Sequence, residues 1–465
     1  MKYLCVSLCF LVLLQFQSVS SQNNADVPPR GWNSYASFSW IISEQEFLDN
    51  AVELAKRLLS VGYEYAVVDA FWFRSLDDGS DTIDEWGRPW PDPKRWPSSV
   101  NGVGFKAVAD QVHRLGLKFG IHIHGGISQR AVARKTRILD SSTGKAYNIG
   151  GEEWHADRIQ SEPCAYAPTF LKVNTSVEAG QVFFKSLIDL YVSWGVDFVK
   201  LDCVFGENIN LDTISTVSEI LEENDQRQVL LSVSPGVGAT EVMARQVSGL
   251  VNMYRVTPNN WDQWSIVVER FAIARDFAAA GLIGAAGLKG NSWPDLDILP
   301  FGWLTEQDVK QGPHRNCNLS PIEQRTQMTL FAMAKSPIMF GGDLRNVNPE
   351  LQDLLADGLL LQINQNSSDN TALILPEPND PTLPTWLASY GNGVFYVAIF
   401  NLNDDPRTVK FDIPFLGSHL PAGRSFSTCA DGNDYYHPDF ELVDNKIEPE
   451  IPGHDCSLFV MTSCS

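Results

Sequence analysis

Residues 196–203 read Val-Asp-Phe-Val-Lys-Leu-Asp-Cys, an apolar run that ends in a lysine and an acid. The apolar half is typical of a strand buried in a parallel sheet. Because residues two apart in a strand point to the same face, Lys200 and Asp202 are expected to lie side by side. A lysine beside a carboxylate favours the ionised form, which a nucleophile requires. An ordinary ion pair at a strand end is the alternative, so the rest of the chain has to decide.

A unit of one helix and one strand recurs through residues 30–342. The first helix begins at a capping box of Ser43 and Glu46 and ends at Gly62. Eight strands are predicted in this region, at residues 30–34, 65–69, 118–122, 196–202, 229–234, 251–256, 282–287 and 337–342. Eight strands that alternate with helices predict a closed (β/α)8 barrel, a TIM barrel of the α/β class. A doubly wound open sheet is the alternative, but it requires a Gly-rich phosphate loop after its first strand, and the sequence has none.

The pattern changes after about residue 344, where short alternating strands are predicted at 394–400, 409–413 and 457–461. Clusters of Asp, Asn, Pro and Gly separate these strands, as is typical of an antiparallel β-sandwich. We therefore predict a catalytic barrel over residues 22–344 and a C-terminal β-sandwich over residues 345–465.

The first 21 residues are predicted to be a signal peptide, with Lys2, an apolar core at 3–16 and small residues before Gln22. We therefore expect a protein that enters the secretory pathway and is extracellular, in the cell wall, or in a vacuole or lysosome. Three glycosylation sequons agree with secretion, at Asn174, Asn318 and Asn366. Of the 8 cysteines, two lie in the signal, and the remaining six predict up to three disulfides. Their irregular spacing indicates no zinc site, and no other metal or cofactor motif is present.

The charge of the chain limits its partners. The formal net charge is −21 at pH 7, which argues against nucleic acid and anionic membrane surfaces. It is compatible with a neutral substrate such as a sugar. No stretch after the predicted signal approaches the length of a transmembrane span.

Polar residues collect where the predicted barrel strands end, which is where barrel active sites lie. They are Asp69, His122, Lys200, Asp202, Ser234, Arg255 and Asp297. Any one of them has a structural explanation, such as a cap, a satisfied barrel histidine or a loop anchor. Seven at one rim favour a polar binding pocket.

Aromatic residues lie beside the same strand ends and fit a sugar site, because apolar sugar faces pack on rings. They are Trp32, Tyr35, Phe71, Trp72, Tyr254, Trp261, Trp264 and Trp293. A place in the buried core is the competing explanation for each ring, and for Trp32 the two are equally good.

Several of these segments resemble the family 27 glycoside hydrolases, the α-galactosidases. The matching landmarks are residues 31–35, 68–69, 200–202, 292–297 and 336–339, and the resemblance runs from about residue 29 to the end. Residues 84–88 and 234–236 look more like the β-L-arabinopyranosidase branch of that family.

The resemblance implies a retaining mechanism, in which one carboxylate attacks the anomeric carbon and a second acts as acid and then as base. By the same resemblance Asp202 is the nucleophile and Lys200 a hydroxyl-binding cation that keeps it ionised. Asp69 would bind near O4 of the sugar, and Arg255 near O2, with Ser234 replacing a glutamate of ordinary α-galactosidases.

The resemblance also assigns the rest of the pocket. Asp297 would line it, and Tyr35 and His122 occupy positions where the family has aromatic sugar contacts; Trp72 is the further candidate for sugar binding. Cys203 and Cys164 look like a disulfide that ties the catalytic strand to the preceding loop.

The first departure from the family is Ala70, where ordinary α-galactosidases have a second aspartate that binds the sugar's O6. A site without that partner rejects an analogue lacking the CH2OH group only weakly. Ala70 therefore predicts a preference relaxed or shifted towards β-L-arabinopyranosides. The alternative is that Phe71 or Trp72 has repacked this corner.

The second departure is Asn259, at the position of the family's acid/base aspartate; the adjacent acid is also replaced, by Asn260. An amide cannot give up a proton, and loss of a general acid lowers rates by about 10²–10⁴. Asp262 is a candidate substitute. Two functions remain open: a slowed exo-glycosidase for terminal α-D-galactosyl or β-L-arabinopyranosyl groups, and a catalytically impaired, lectin-like sugar-binding protein.

Overall fold

Eight parallel strands form the centre of the computed structural model, which describes residues 25–165, 167–374, 380–391, 393–412, 415–416, 430–438 and 446–463. The strands, β1–β8, are Arg30–Asn33, Tyr65–Val68, Lys118–His124, Phe198–Phe205, Leu230–Pro235, Met253–Arg255, Gly290–Asp295 and Ile338–Phe340. Strands β1 to β7 pair in succession, and β8 pairs with β1. A parallel bridge from Leu299 to Phe340 joins the chain after β7 to β8 and closes the ring. The predicted (β/α)8 barrel is confirmed.

Helices lie between the strands and around the barrel. They are α1–α11: Tyr35–Phe38, Glu44–Arg57, Lys106–Arg114, Gln129–Ala133, Glu178–Trp194, Leu211–Glu222, Glu241–Val247, Trp264–Ala279, Pro321–Met333, Pro349–Leu355 and Gly358–Asn366. The predicted capping box is present at the start of α2, where Ser43 and Glu46 bond each other's backbone. No helix in the described part of the chain has both the length and the apolar character to span a membrane.

The seventh barrel strand is not the one predicted at residues 282–287. That segment contains the short strand Ala285–Gly287, which pairs antiparallel with Gly290–Asp295. Only the second strand of this hairpin pairs with β6 and enters the barrel. Both halves are short and adjacent, so their composition alone does not distinguish the edge strand from the barrel strand.

An antiparallel sheet of five strands, β9–β13, follows the barrel. The strands are Ser368–Leu373, Thr385–Gly391, Val394–Phe400, Ala430–Asp434 and Cys456–Ser463. One face, with Trp386, Tyr396 and Phe400, belongs to the same apolar core as the barrel. The other face packs with residues of the short pairs Arg407–Thr408/Glu450–Ile451 and Phe411–Asp412/Lys446–Ile447. The antiparallel C-terminal layer agrees with the predicted sandwich.

Shorter strands occur in the loops at the barrel mouth. They are Gly126–Ser128, Leu139–Asp140, Lys145–Ala146, Asn148–Ile149, Glu152–Glu153, Gln160–Pro163, Phe170–Val173, Trp303–Leu304 and Arg315–Asn316. The last two pair antiparallel and form a hairpin, residues 303–316, between β7 and α9. This 303–316 hairpin is anchored to α1 by a hydrogen bond from Thr305 N to Ala36 O (3.0 Å).

Three sequence features bear on secretion. The predicted signal peptide, residues 1–21, lies outside the described residues. The sequon asparagines Asn174, Asn318 and Asn366 are all exposed, so each is open to a glycan. The predicted disulfide between Cys164 and Cys203 is confirmed, with a Cα–Cα distance of 5.8 Å. It holds the loop before α5 against the end of β4.

Candidate active site

A cavity of about 480 Å³ opens where the barrel strands end at their carboxyl termini. The predicted site residues that line it are Tyr35, Asp69, His122, Lys200, Asp202, Arg255, Asn259 and Asp297. These residues come from six strands or the loops that follow them, so the barrel brings together side chains that are up to 262 positions apart (297 − 35). A cavity of this size accommodates a small ligand such as a sugar.

Asp202 lies partly buried in β4, and its carboxylate is fixed on both oxygens. The backbone N–H of Cys203 donates to Oδ1 (2.5 Å), and His122 Nε2 lies 3.0 Å from Oδ2. The parallel pairing of β3 and β4 places His122 opposite Lys200 and so within reach of Asp202. Burial alone would raise the pKa of Asp202, but the hydrogen bond and charge of His122 hold it well below its usual range. The carboxylate is therefore ionised, as a nucleophile requires.

Lys200 pairs with Asp69 rather than with Asp202. Its Nζ lies 3.0 Å from Asp69 Oδ2, which also accepts a hydrogen bond from Asn33 Nδ2 (2.6 Å). Against burial, which opposes ionisation, Lys200 and these contacts lower the pKa of Asp69 to about 2, while Asp69 raises the pKa of Lys200. The alternation along β4 does put both side chains on one face. His122, and not Lys200 as predicted, makes the contact that keeps Asp202 ionised.

Arg255 organises the wall of the cavity after β6. One of its terminal nitrogens, Nη2, donates to Asn259 Oδ1 (2.8 Å), and Nη1 lies 3.5 Å from Asp297 Oδ1. The other oxygen of Asp297 accepts from the backbone N–H of Asn260 (2.8 Å). The side chain of Asn259 is thus held with its oxygen on Arg255, which leaves an amide NH2 and no titratable proton at this position.

Asp262 is not a substitute acid in this arrangement. Its side chain is 2% exposed and does not line the cavity. Both guanidinium terminal nitrogens of Arg315 contact its two oxygens, and the backbone N–H of Asn318 donates to Oδ2 (2.7 Å). Paired on both oxygens, this carboxylate anchors the 303–316 hairpin to the loop that carries Asn259.

Two other predictions are corrected by their positions. Trp72 is fully buried, packs edge-on against Phe105, and donates from Nε1 to His122 O (2.7 Å). It therefore supports β3 from the core and does not face the cavity. Ser234 is fully buried and is not a lining residue, although the next residue, Pro235, is.

The aromatic residues divide between the cavity and the core. Tyr35, Phe71 and Trp261 line the cavity. Trp32, Tyr254 and Trp293 are buried outside the lining, and Trp264 stacks on His454 of the C-terminal region at 4.4 Å between ring centroids. An aromatic residue near a strand end was therefore a weak indicator, because core and cavity residues alternate there.

Some residues that reach the cavity from loops were not predicted from the sequence. Gln307 and Asp308, at the tip of the 303–316 hairpin, both line it. Tyr35 Oη donates to Asp308 Oδ1 (2.8 Å), and Trp261 Nε1 donates to Gln307 Oε1 (3.0 Å). Burial, and then the charge of Asp308, raise the pKa of Tyr35, so this hydroxyl stays protonated. The only sequence feature that could have indicated them was the long connection between the seventh and eighth predicted strands, at residues 282–287 and 337–342.

A pH-dependent stability is expected from Asp295, whose buried carboxyl accepts a hydrogen bond from the Asp297 N–H (2.9 Å). Burial and the charge of Asp297 raise its pKa to about 7. An unfolded aspartate releases its proton near pH ~4, so the folded state binds more protons between about pH 4 and 7. The free energy of unfolding therefore falls across this range as pH rises.

Replacing Asp295 with asparagine removes this dependence, so Asp295→Asn gains stability relative to wild type by up to a few kcal/mol between about pH 4.5 and 8. Urea unfolding at several pH values measures it. The exposed Asp353, replaced in the same way, is the control and should leave the profile unchanged. Parallel wild-type and Asp295→Asn profiles would contradict the expectation.

A closed (β/α)8 barrel with several carboxylates in a sugar-sized cavity at its mouth fits the carboxylate chemistry of glycoside hydrolases. The family model described as Alpha galactosidase A matches residues 33–167 and 183–366. The chain belongs to this family of α-galactosidases, as the sequence motifs predicted.

Known proteins similar to the chain support this assignment. An α-galactosidase of Schizosaccharomyces pombe is 24% identical over 97% of this chain and 92% of its own length. The structure of a family 27 β-L-arabinopyranosidase from Geobacillus stearothermophilus is 30% identical, with a TM-score of 0.81 over 94% of this chain and 97% of that one. An α-galactosidase of Mortierella vinacea, 18% identical, shares the fold with a TM-score of 0.65 over 95% of this chain and 99% of that one.

Proposed function

We propose that the protein is a retaining exo-glycosidase that removes terminal α-D-galactosyl or β-L-arabinopyranosyl groups from carbohydrates. The observation that carries the proposal is the ionised Asp202 within a cavity that also holds the Lys200–Asp69 pair and Arg255. These charged groups match the hydroxyls of a neutral sugar, and Asp202 has the character of the attacking carboxylate.

In the first step Asp202 attacks the anomeric carbon as the bond to the leaving oxygen breaks, which forms a glycosyl-enzyme ester. In the second step water attacks the same carbon, gives up one proton to a base or to solvent, and releases the Asp202 carboxylate. Because Asn259 gives no proton, cleavage of a poor leaving group requires an acid from another residue, whereas a good leaving group needs little acid assistance.

A second candidate function is a lectin-like protein that binds the same sugars without turnover. The asparagine at position 259 favours this second function, because it replaces the acid/base aspartate of the family and leaves the hydroxyl-binding residues in place. The discriminating experiment offers the protein 2,4-dinitrophenyl α-galactoside and β-L-arabinopyranoside, which need little acid assistance. Release of sugar with retained configuration supports the hydrolase. Calorimetric binding of galactose or arabinose with no release supports the lectin.

The specificity of the site is expected to depend on Ala70, which lines the cavity beside Asp69. The Geobacillus relative is a β-L-arabinopyranosidase, and a variant of it was crystallised in complex with arabinose. Ala70→Asp supplies a partner for the sugar's CH2OH group and should raise the galactoside-to-arabinopyranoside ratio of kcat/KM by about 10-fold or more. Ala70→Val adds similar bulk without a hydrogen-bonding group. An equal shift of this ratio in Ala70→Val would mean that the added bulk, and not the hydrogen bond, causes the effect.

We also propose that the protein is secreted. The predicted signal peptide, the Cys164–Cys203 disulfide and the exposed sequon asparagines all agree with passage through an oxidising compartment.

A further inference from the structure

Four carboxylates line the cavity, and they differ in their partners. Asp69 pairs with Lys200, Asp202 with His122 and Asp297 with Arg255. Asp308 forms no ion pair within the part of the chain that the structure describes, and its contact is with the neutral hydroxyl of Tyr35. The side chain of Asp308 is also exposed.

The position of Asp308 is set by the 303–316 hairpin. At the tip, Gln307 binds Trp261, which follows Asn259 by two residues. At the base, Arg315 binds Asp262 on the same loop. The hairpin is therefore joined at both ends to the wall that carries Asn259, and Asp308 faces the cavity from that side. Its backbone φ of +58° is unusual for a residue other than glycine and occurs at this functional rim.

Three other titratable residues that line the cavity, His124, Tyr35 and Asp297, are less suited to donate the missing proton. Burial and His122 lower the pKa of His124 to about 3, so its ring is neutral at ordinary pH. The hydroxyl of Tyr35 is held more tightly than usual, as its raised pKa indicates. Asp297 is occupied on both oxygens, by Arg255 and the N–H of Asn260.

We propose that Asp308 is the acid/base residue of this enzyme, in place of the missing carboxyl at position 259; the proposal rests on the hydrolase function above. As Asp202 attacks the anomeric carbon, the carboxyl of Asp308 transfers its proton to the leaving oxygen. In the second step the Asp308 carboxylate takes a proton from the attacking water, and Asp202 leaves as a carboxylate. The pair of steps consumes one water and returns both residues to their starting states.

The test compares Asp308→Asn with the wild type on two α-galactosides or β-L-arabinopyranosides, one with 2,4-dinitrophenol and one with methanol as leaving group. Without Asp308, kcat/KM for the methyl glycoside should fall by about 10²–10⁴, and that for the dinitrophenyl glycoside by less than about tenfold. Azide, a nucleophile that needs no base, should raise dinitrophenol release by Asp308→Asn and not by the wild type. Asp308→Glu should recover part of the lost activity.

Several outcomes separate this proposal from the function on which it rests. Asp353→Asn, an exposed carboxylate change on α10, controls for charge, and circular dichroism checks that each variant is folded. If hydrolysis depends on Asp202 but Asp308→Asn retains the wild-type ratio between the two substrates, Asp308 is not the acid and the hydrolase function stands. If the wild type itself cleaves only the dinitrophenyl glycoside, the Asp308 proposal also fails. If the wild type cleaves neither, the hydrolase function itself fails.

Discussion

Asp202→Asn is expected to lower kcat/KM for 2,4-dinitrophenyl α-galactoside and β-L-arabinopyranoside by about 10⁴-fold or more, the scale of nucleophile deletions in other hydrolases. The variant keeps the shape of the side chain, and Asn Oδ1 still accepts the Cys203 N–H bond. It loses the negative charge that attacks the anomeric carbon. Because the leaving group needs no acid, the result reports on the nucleophile alone.

The Asp202 experiment requires a variant that is folded and still binds sugar. Calorimetric titration with galactose and arabinose supplies that measurement, since Asp69, Lys200 and Arg255 are untouched. The surface change Asp353→Asn should preserve the rate. Persistence of wild-type turnover in Asp202→Asn would remove this residue from the mechanism and with it the assignment of β4 as the catalytic strand.

Asn259→Asp is expected to raise kcat/KM for the methyl glycoside by about 10²–10⁴ when it is measured in the Asp308→Asn background. In that background Asp308 no longer supplies a proton, so the gain measures the carboxyl at position 259. A carboxylate at this position keeps an oxygen for Arg255, which lies 2.8 Å from the present amide oxygen. In the wild-type background the gain should be smaller, because Asp308 already supplies protons.

Asn259→Ser serves as the matched control, since a hydroxyl is not an acid of useful strength. It should leave the methyl glycoside as slow as in Asp308→Asn alone. Equal rates for Asn259→Asp and Asn259→Ser in that background would mean that position 259 no longer faces the leaving group, and the relation of this loop to the sugar would have to be redrawn.

Periodic features were predictable from the sequence. The alternation of buried strands and capped helices predicted the barrel, and the Lys-x-Asp spacing predicted that Lys200 and Asp202 share one face. The predictions were wrong where contacts between distant segments decide which strands and side chains pair. The strand at 282–287 gave way to its hairpin partner, and Lys200 paired with Asp69 from a neighbouring strand. Such choices depend on contacts between distant segments, which spacing along the chain does not encode.

The positions of loop residues also depend on contacts between distant segments, so they were difficult to predict from the sequence. Asp262 was a candidate acid because it lies close to Asn259 in sequence. In the structure, however, Arg315, which lies 53 positions further on, donates hydrogen bonds to both of its oxygens. Asp308 had no motif to identify it, because its role depends on where a long hairpin folds back. Trp72, two positions after Ala70, was predicted to bind sugar, but its side chain is buried in the core.

The C-terminal sheet has a consequence for the architecture of the protein as a whole. Phe400 packs on Phe271 of α8 at 4.9 Å between ring centroids, and Thr326 of α9 donates to His454 O (2.8 Å). One face of the sheet thus completes the outer layer of the barrel, and separating the two would leave apolar surfaces facing water on both sides. The sheet is therefore not an interchangeable module. We therefore expect the barrel and the sheet to fold as one unit, whereas single residues at the barrel mouth can change without disturbing this interface.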